Sequence, residues 1–335
     1  MTKAGISCAI CTLNSSTRIE KCLEYLATNA GAAIPWEVVI VDNGSTDGTA
    51  RVAETFWKLF DKIDLRIVSE PQPNIRQARL KAIESSRYSY VSFVDDDNWV
   101  PANWVETVFG IMECNPDAAA LGVATRASFD VQPPPWFPRQ QFRLAIGEQV
   151  FREQGWLWSA GLTLRKAAVQ HILDTGFIFT ETEGFAGRRP GSDVELTLFL
   201  TLAGWKLLYT NDLVLEHHIA NARTNITSIK NLARAQGMVH AFLEPLIEAA
   251  RPPRLWERAG LAWEHGLVWG ALRLSQFSLR NLLPSSAHSD LANIEFWRGY
   301  LSVMQESRRQ YITRIADARH FAARAKATLP RYMRR

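Results

Sequence analysis

The chain has 335 residues, 38 lysines and arginines against 34 aspartates and glutamates, a net charge of +4 and 47% apolar residues. That length and apolar content exclude disorder and predict one large domain, or one domain with an appendage. The charge is uneven, about −5 over residues 1–225 and about +9 over residues 226–335; the basic half carries no recognisable nucleic-acid module, so nucleic acid is not an expected partner.

Residues 6–11 are a continuous apolar run, as a parallel strand covered on both faces requires. Thr12, Leu13, Asn14, Ser15 and Ser16 then form a polar loop, and residues 17–29 have helical spacing through Ile19, Leu23 and Leu26. Within this stretch Cys8 and Cys11 have CxxC spacing, but an alternating strand would point them to opposite faces, and no second pair completes a zinc site. With Cys22 and Cys114 they are expected to be core thiols in a reducing compartment. The opening residues lack the charged region, apolar core and cleavage site of a signal peptide, and no apolar run reaches spanning length, so a cytoplasmic location is expected.

Residues 36–41 predict a second buried strand, ending in Asp42, Asn43 and Gly44 and turning into a helix over 49–60. Asp42 is placed to accept hydrogen bonds from a base or ribose, or to close an Asx turn that Asn43-Gly44 makes easy. A short strand over 65–68 and a helix over 77–85 follow. Arg79 on that helix could reach phosphate, with Arg76 one turn earlier; a surface helical arginine is more often solvated or salt-bridged, so position rather than residue type makes the case. The next strand, 90–94, runs into Asp95, Asp96, Asp97 and Asn98. Three carboxylates this close raise one another's pKa unless a cation sits among them, and oxygen ligands suit Mg²⁺ or Mn²⁺ shared with substrate phosphates. The plainer alternative is an acidic turn capping the next helix. Strands alternating with helices predict an α/β fold, a mostly parallel sheet flanked by helices, with ligands at the carboxyl ends of the strands.

Beyond Trp99 the pattern predicts a helix to about residue 114, a strand over 118–124 and an irregular stretch over 129–155 that suits a lid or binding loop. Residues 155–164 interleave Trp156, Trp158 and Gly161 with apolar residues, predicting a strand beneath an open cleft; the tryptophans serve sugar stacking or the core. Gly187, Arg188, Arg189, Pro190, Gly191 and Ser192 form a basic loop before Asp193, which opens a helix either as its cap or as a general base at the cleft. Glu195 points elsewhere around that helix, towards a salt bridge. Residues 204–209 and 214–216 predict two strands, the second ending in His217 and His218, one of which could bind metal or phosphate.

Together these stretches resemble the family 2 inverting glycosyltransferases of the GT-A fold, over roughly residues 5–225. The loop with Thr12 and Asn14 looks like the family's first nucleotide-binding segment, and Asp42-Asn43-Gly44-Ser45-Thr46-Asp47 like its second. Arg79 stands where the family has an arginine near the diphosphate. Val94-Asp95-Asp96-Asp97-Asn98 is similar to its metal motif. The resemblance implies Asp97 as direct ligand of Mn²⁺ or Mg²⁺, with Asp95 or Asp96 assisting or contacting ribose; Glu216-His217-His218 followed by Arg223 is similar to the segment closing over the diphosphate, and His217 is the candidate further metal contact. Gly191-Ser192-Asp193 resembles the acceptor-side motif that supplies the catalytic base, here Asp193. Leu80, Asn74 and Ser192 depart from the family pattern, which has asparagine, glycine and glutamate there; Asn74 is expected to substitute for glycine in a left-handed conformation. The implied activity is metal-dependent inverting transfer from a nucleotide sugar, UDP-linked by preference, to a glycan or lipid-linked acceptor. The implied organisation is a catalytic domain over 1–225, with a nucleotide half to 115 and an acceptor half from 116, and a helical C-terminal region over 226–335. Rival readings are a nucleotidyltransferase, which would need a glycine-rich loop that residues 12–16 lack, and a silent scaffold.

The tail carries Trp256, Trp263, Leu267 and Leu274 at seven- and four-residue spacing. They predict an amphipathic surface, used on an anionic membrane at the inner face of the cell membrane, against the catalytic domain, or in a homodimer.

Overall fold

Backbone alternation sorts the apolar residues of the first strand onto both faces of a sheet. In the computed structural model, which describes residues 3–60, 63–149, 155–180, 191–258, 260–282, 289–305 and 308–333, that strand is β1 (Lys3–Thr12). Ile6, Cys8 and Ile10 join one core cluster and Ala9 the other. β1 lies between β2 (Trp36–Asp42) and β4 (Tyr88–Phe93), with β3 (Leu65–Ser69) outside β2, all parallel. The connecting helices are α1 (Ile19–Ala27), α2 (Thr49–Trp57) and α3 (Ile75–Ser85). α1 buries Ile19, Cys22, Leu23 and Leu26 on one face of the sheet, while α3 buries Ala78, Ala82 and Ile83 on the other.

After β5 (Asn98–Trp99) and α4 (Trp104–Cys114), the sheet is completed by β6 (Ala118–Phe129), β7 (Thr163–Arg165) and β8 (Lys206–Ile219). The order across its eight strands is β3-β2-β1-β4-β7-β6-β8-β5. β7 is antiparallel to β4 and β6, β5 is antiparallel to β8, and β6 and β8 are parallel. α5 (Lys166–Asp174) and α6 (Ser192–Leu202) cover the face that α3 covers.

Among the described residues five helices follow: α7 (Ile226–Ala249), α8 (Leu255–Arg258), α9 (Ala262–Arg280), α10 (Ser289–Met304) and α11 (Arg308–Thr328). Two of them, α7 and α11, share the core of the sheet, while α8 and α9 pack in a separate cluster with Tyr300 and Met304 of α10. Ala318, Phe321, Ala322 and Ala325 of α11 and Phe242 and Leu246 of α7 belong to the same cluster as Leu198 and Leu200 of α6, and Phe321 meets Phe199 edge-on at 4.8 Å. α7 and α10 cross with their backbones almost touching, since a Cβ on Gly237 would lie 1.8 Å from the Phe296 carbonyl oxygen.

Three expectations are corrected. Residues 155–162 are not a strand; only Thr163–Arg165 pairs. The two strands expected over 204–216 are one, because residues 211–213 bulge out where Thr210 pairs with Val123 and Val214 with Ala124. Cys114 is exposed, unlike Cys8 and Cys22.

Candidate functional site

The loops after β1 and β2 are laced to each other before any ligand is considered. Asn43 N donates to the Thr12 carbonyl (2.9 Å), Ser15 N to Thr49 Oγ1 (2.8 Å) and Thr46 N to Asn14 Oδ1 (2.9 Å). Asn14 adopts a left-handed φ of 53°, which asparagine tolerates. Asp42 Oδ1 accepts from Ser45 N (3.0 Å), the Asx-turn use. Asn74 is extended (φ −150°) rather than left-handed and caps α3 by accepting from Arg76 N at 3.0 Å. The side chains of Asn14 and Asp42 thus shape the loops, while Thr12, Leu13 and Asn43 line the cleft.

Each acid after β4 has a distinct role. Asp96 is buried and fully engaged: Thr12 Oγ1 donates to Oδ2 (2.6 Å), and Arg18 donates through Nε to Oδ1 (2.6 Å) and through Nη2 to Oδ2 (3.2 Å). Asp97 accepts from Arg223 Nη1 (3.0 Å) and Asn98 Nδ2 (3.2 Å), with His217 Nε2 3.6 Å away. Burial pushes the Asp97 carboxyl up, but His217 and the Arg223 and Arg18 guanidiniums outweigh it and hold it down at about 2. Asp95 has no such cations in contact; burial, then the Asp97 charge, raises it to about 6. His218 turns the other way, bonding to Asp130 Oδ1 (2.8 Å) and stacking on Trp99 at 5.3 Å, so His217 is the histidine at the acid cluster.

Asp193 is the second residue of α6 and does not cap it. Gly191, at φ +95°, precedes the helix. The carboxylate Oδ2 instead accepts from Ser159 N at 2.7 Å, and Arg79 Nη1 lies 3.8 Å from Oδ1 while donating to Ser192 Oγ. Ser159 Oγ in turn donates to Asp95 Oδ2 at 3.4 Å, so one residue spans the distance between the acid cluster and Asp193. Glu195 is fully buried, accepts from Thr180 N (2.9 Å) and sits 3.8 Å from Arg76, the ionic partnership expected of it.

A single cleft of about 1960 Å³ joins these groups. It runs from Thr12 and Leu13 past Asp95, Asp96, Asp97 and His217 to Asp193, Trp156 and Trp158, then along Leu232, Val239, Leu243 and Ile247 of α7. A site for one small ligand is about 300–1,000 Å³, so there is room for two. Arg79 lies behind the wall, and Gly161 is structural: a Cβ there would lie 2.6 Å from both Val123 and Leu215. Residues 187–190 of the basic loop fall outside the described residues. Arg18 and Ser159 carry no local signal in the sequence, since both act across the fold on residues more than 30 positions away.

Among the described residues no group of three or more His, Cys, Asp or Glu side chains is arranged to hold a metal ion by itself. Asp97, His217 and Asp95 are nevertheless a chemically suitable partial set for Mg²⁺ or Mn²⁺, whose remaining positions fall to water and phosphate oxygens. His217 Nδ1 is buried without a hydrogen-bond partner, as a ring awaiting a further contact would be.

Residues 7–173 match the sequence profile of Glycosyl transferase family 2, and the chain belongs to that family. Glycosyltransferase AglE of Haloferax volcanii is 33% identical over 101 residues, 30% of this chain and 33% of that protein. The match therefore spans only a third of that relative's length. The succinoglycan biosynthesis protein ExoM of Rhizobium meliloti is 21% identical over 299 residues, 87% of this chain and 94% of that protein. The mannosyltransferase PcManGT of Pyrobaculum calidifontis, solved with GDP-Man and Mn²⁺, superposes with a TM-score of 0.54 at 16% identity, covering 95% of this chain and 87% of that one. At that identity the likeness bears on the fold alone, which is the α/β architecture with C-terminal helices described above.

Proposed function

We propose that the protein transfers a sugar from a nucleoside diphosphate sugar to an acceptor hydroxyl, with inversion at the anomeric carbon. The observation that carries this reading is the Ser159 bridge, which sets Asp193 and the Asp95–Asp97 carboxylates on one cleft at the span of a single residue. The base and ribose lie by Thr12, Leu13 and the Asp42 rim, and the diphosphate by Asp97. A divalent ion held by Asp97, with His217 and Asp95 beside it, would neutralise charge developing on the leaving diphosphate. Arg223 is 43% exposed along its side chain, free enough to leave Asp97 for a phosphate oxygen. Asp193 removes the proton from the acceptor hydroxyl as that oxygen attacks the anomeric carbon opposite the leaving group, and Ser159 N–H and Arg79 hold its orientation. The far arm of the cleft, walled by α7, takes the rest of a glycan or lipid-linked acceptor.

Thermal stabilisation by UDP, GDP and CDP, with and without Mn²⁺, tests the donor half; a metal-dependent shift selective for one nucleotide is expected. Asp193→Asn should lower transfer by about 10²–10⁴-fold and leave that shift intact. Transfer near the wild-type rate removes Asp193 from the role of base, and a product of retained configuration excludes the inverting reading.

A further inference from the structure

Several exposed apolar residues of the C-terminal helical region line up on one side of one helix. Leu261, Val268, Leu272 and Leu279 are 47%, 58%, 59% and 66% exposed, and their spacings of seven, four and seven place them on one line along α9. Trp269, 49% exposed, borders the line, and Leu282 extends it. The other side of α9 is packed: Ala262, Gly266, Gly270 and Phe277 are buried, the two glycines against Tyr300.

This is not the face that the sequence spacing picks out. Trp256, Trp263 and Leu267 point inward, packing with Tyr300 and Met304; Trp263 Nε1 donates to the Met304 carbonyl at 2.9 Å, and Leu274 is half-buried. Their periodicity marks a packed seam, and the exposed row is a second stripe on the same helix.

Of the two arginines flanking the row, Arg280 is paired with Asp290 at 3.6 Å, and Arg273 has no acidic partner among the described residues. Arg273 lies over the Trp269 and Phe277 rings at 5.7 and 5.0 Å, and Arg280 over Phe277 at 5.7 Å. Glu264 is neutralised by Arg308 at 2.6 Å. We propose that this face of α9 docks into the headgroup layer of a bilayer containing anionic lipid. An aliphatic row with a tryptophan at its edge and arginines beside it is the arrangement of an interfacial helix, lying in the membrane plane rather than crossing it. Among the described residues no helix is long and apolar enough to cross. A second copy is the poorer occupant, since a two-fold contact would set two halves of about +9 against each other, whereas anionic lipid neutralises them.

Co-sedimentation of the full chain with phosphatidylcholine vesicles, and with vesicles one-third phosphatidylglycerol, tests this. Binding is expected to the anionic vesicles and to weaken as salt is raised. Val268→Asp with Leu272→Asp should weaken partitioning roughly tenfold or more and leave the melting temperature unchanged, because both positions are exposed. Trp269→Ser with Leu279→Asp, at the border and the far end of the row, should do the same. Failure of the wild-type chain to bind, or undiminished binding by both variants, overturns the proposal. So does a wild-type dimer that the substitutions dissociate, which would assign the face to a second copy.

Discussion

Asp95 and Asp97 stand two residues apart and titrate in opposite directions: burial and the Asp97 charge outweigh the more distant Arg79 and His217 at Asp95, whereas His217 and Arg223 touch Asp97 directly. The consequence can be measured on metal-free protein. With its carboxyl raised from 3.8 to about 6, Asp95 binds a proton more tightly in the folded chain than in the unfolded one. Its contribution to stability is therefore full below pH 3.8 and is lost as pH rises through about 6. Asp95→Asn, which cannot ionise, should raise stability at pH 7 by roughly 1–3 kcal/mol and change nothing at pH 3.5, by thermal melts in chelator; equal stability at pH 7 would contradict the buried ionisation. The acid triplet was legible in the sequence because it is local. The division of labour among its members was not: Arg223 is expected near the diphosphate, but its bond to Asp97 and the Arg18 clamp on Asp96 join residues far apart in the chain.

The segment 155–162 shows how an element can resemble another in sequence. Its alternating tryptophan and leucine pattern suits a strand, yet its backbone donors are satisfied by side chains instead of a neighbouring strand. Leu157 N binds Thr197 Oγ1 (3.1 Å), Trp158 N binds Gln149 Oε1 (3.1 Å) and Ser159 N binds Asp193 (2.7 Å). No local pattern announces three acceptors from distant positions. The start of α6 is equally dependent on tertiary fit. A Cβ on Gly191 would meet Val239 Cγ1 at 2.6 Å, and φ is +95°. Gly191→Ala should cost about 1–3 kcal/mol and reduce transfer by shifting Asp193. Adding Val239→Ala removes the obstructing methyls and should recover part of the transfer rate. A single variant that transfers and melts like wild type would show that this contact does not fix α6.

For the molecule as a whole, the parallel half of the sheet could be read from apolar runs, and the membership of the C-terminal helices in its core could not, because their amphipathic spacing names a buried face without naming its partner. Phe321 is 4% exposed and lies between α11 and α6. Phe321→Ala should therefore cost about 3–5 kcal/mol, measured by denaturant unfolding in one cooperative transition; a loss confined to a separate late transition would make the helices an independent unit. The shared core also orders events during translation. A chain emerging at about 5–20 residues per second presents the donor-site strands early, yet the underside of α6 stays uncovered until residues 318–329 have left the ribosome. A ribosome stalled before that point holds a nascent chain in which Phe199 lacks its Phe321 partner.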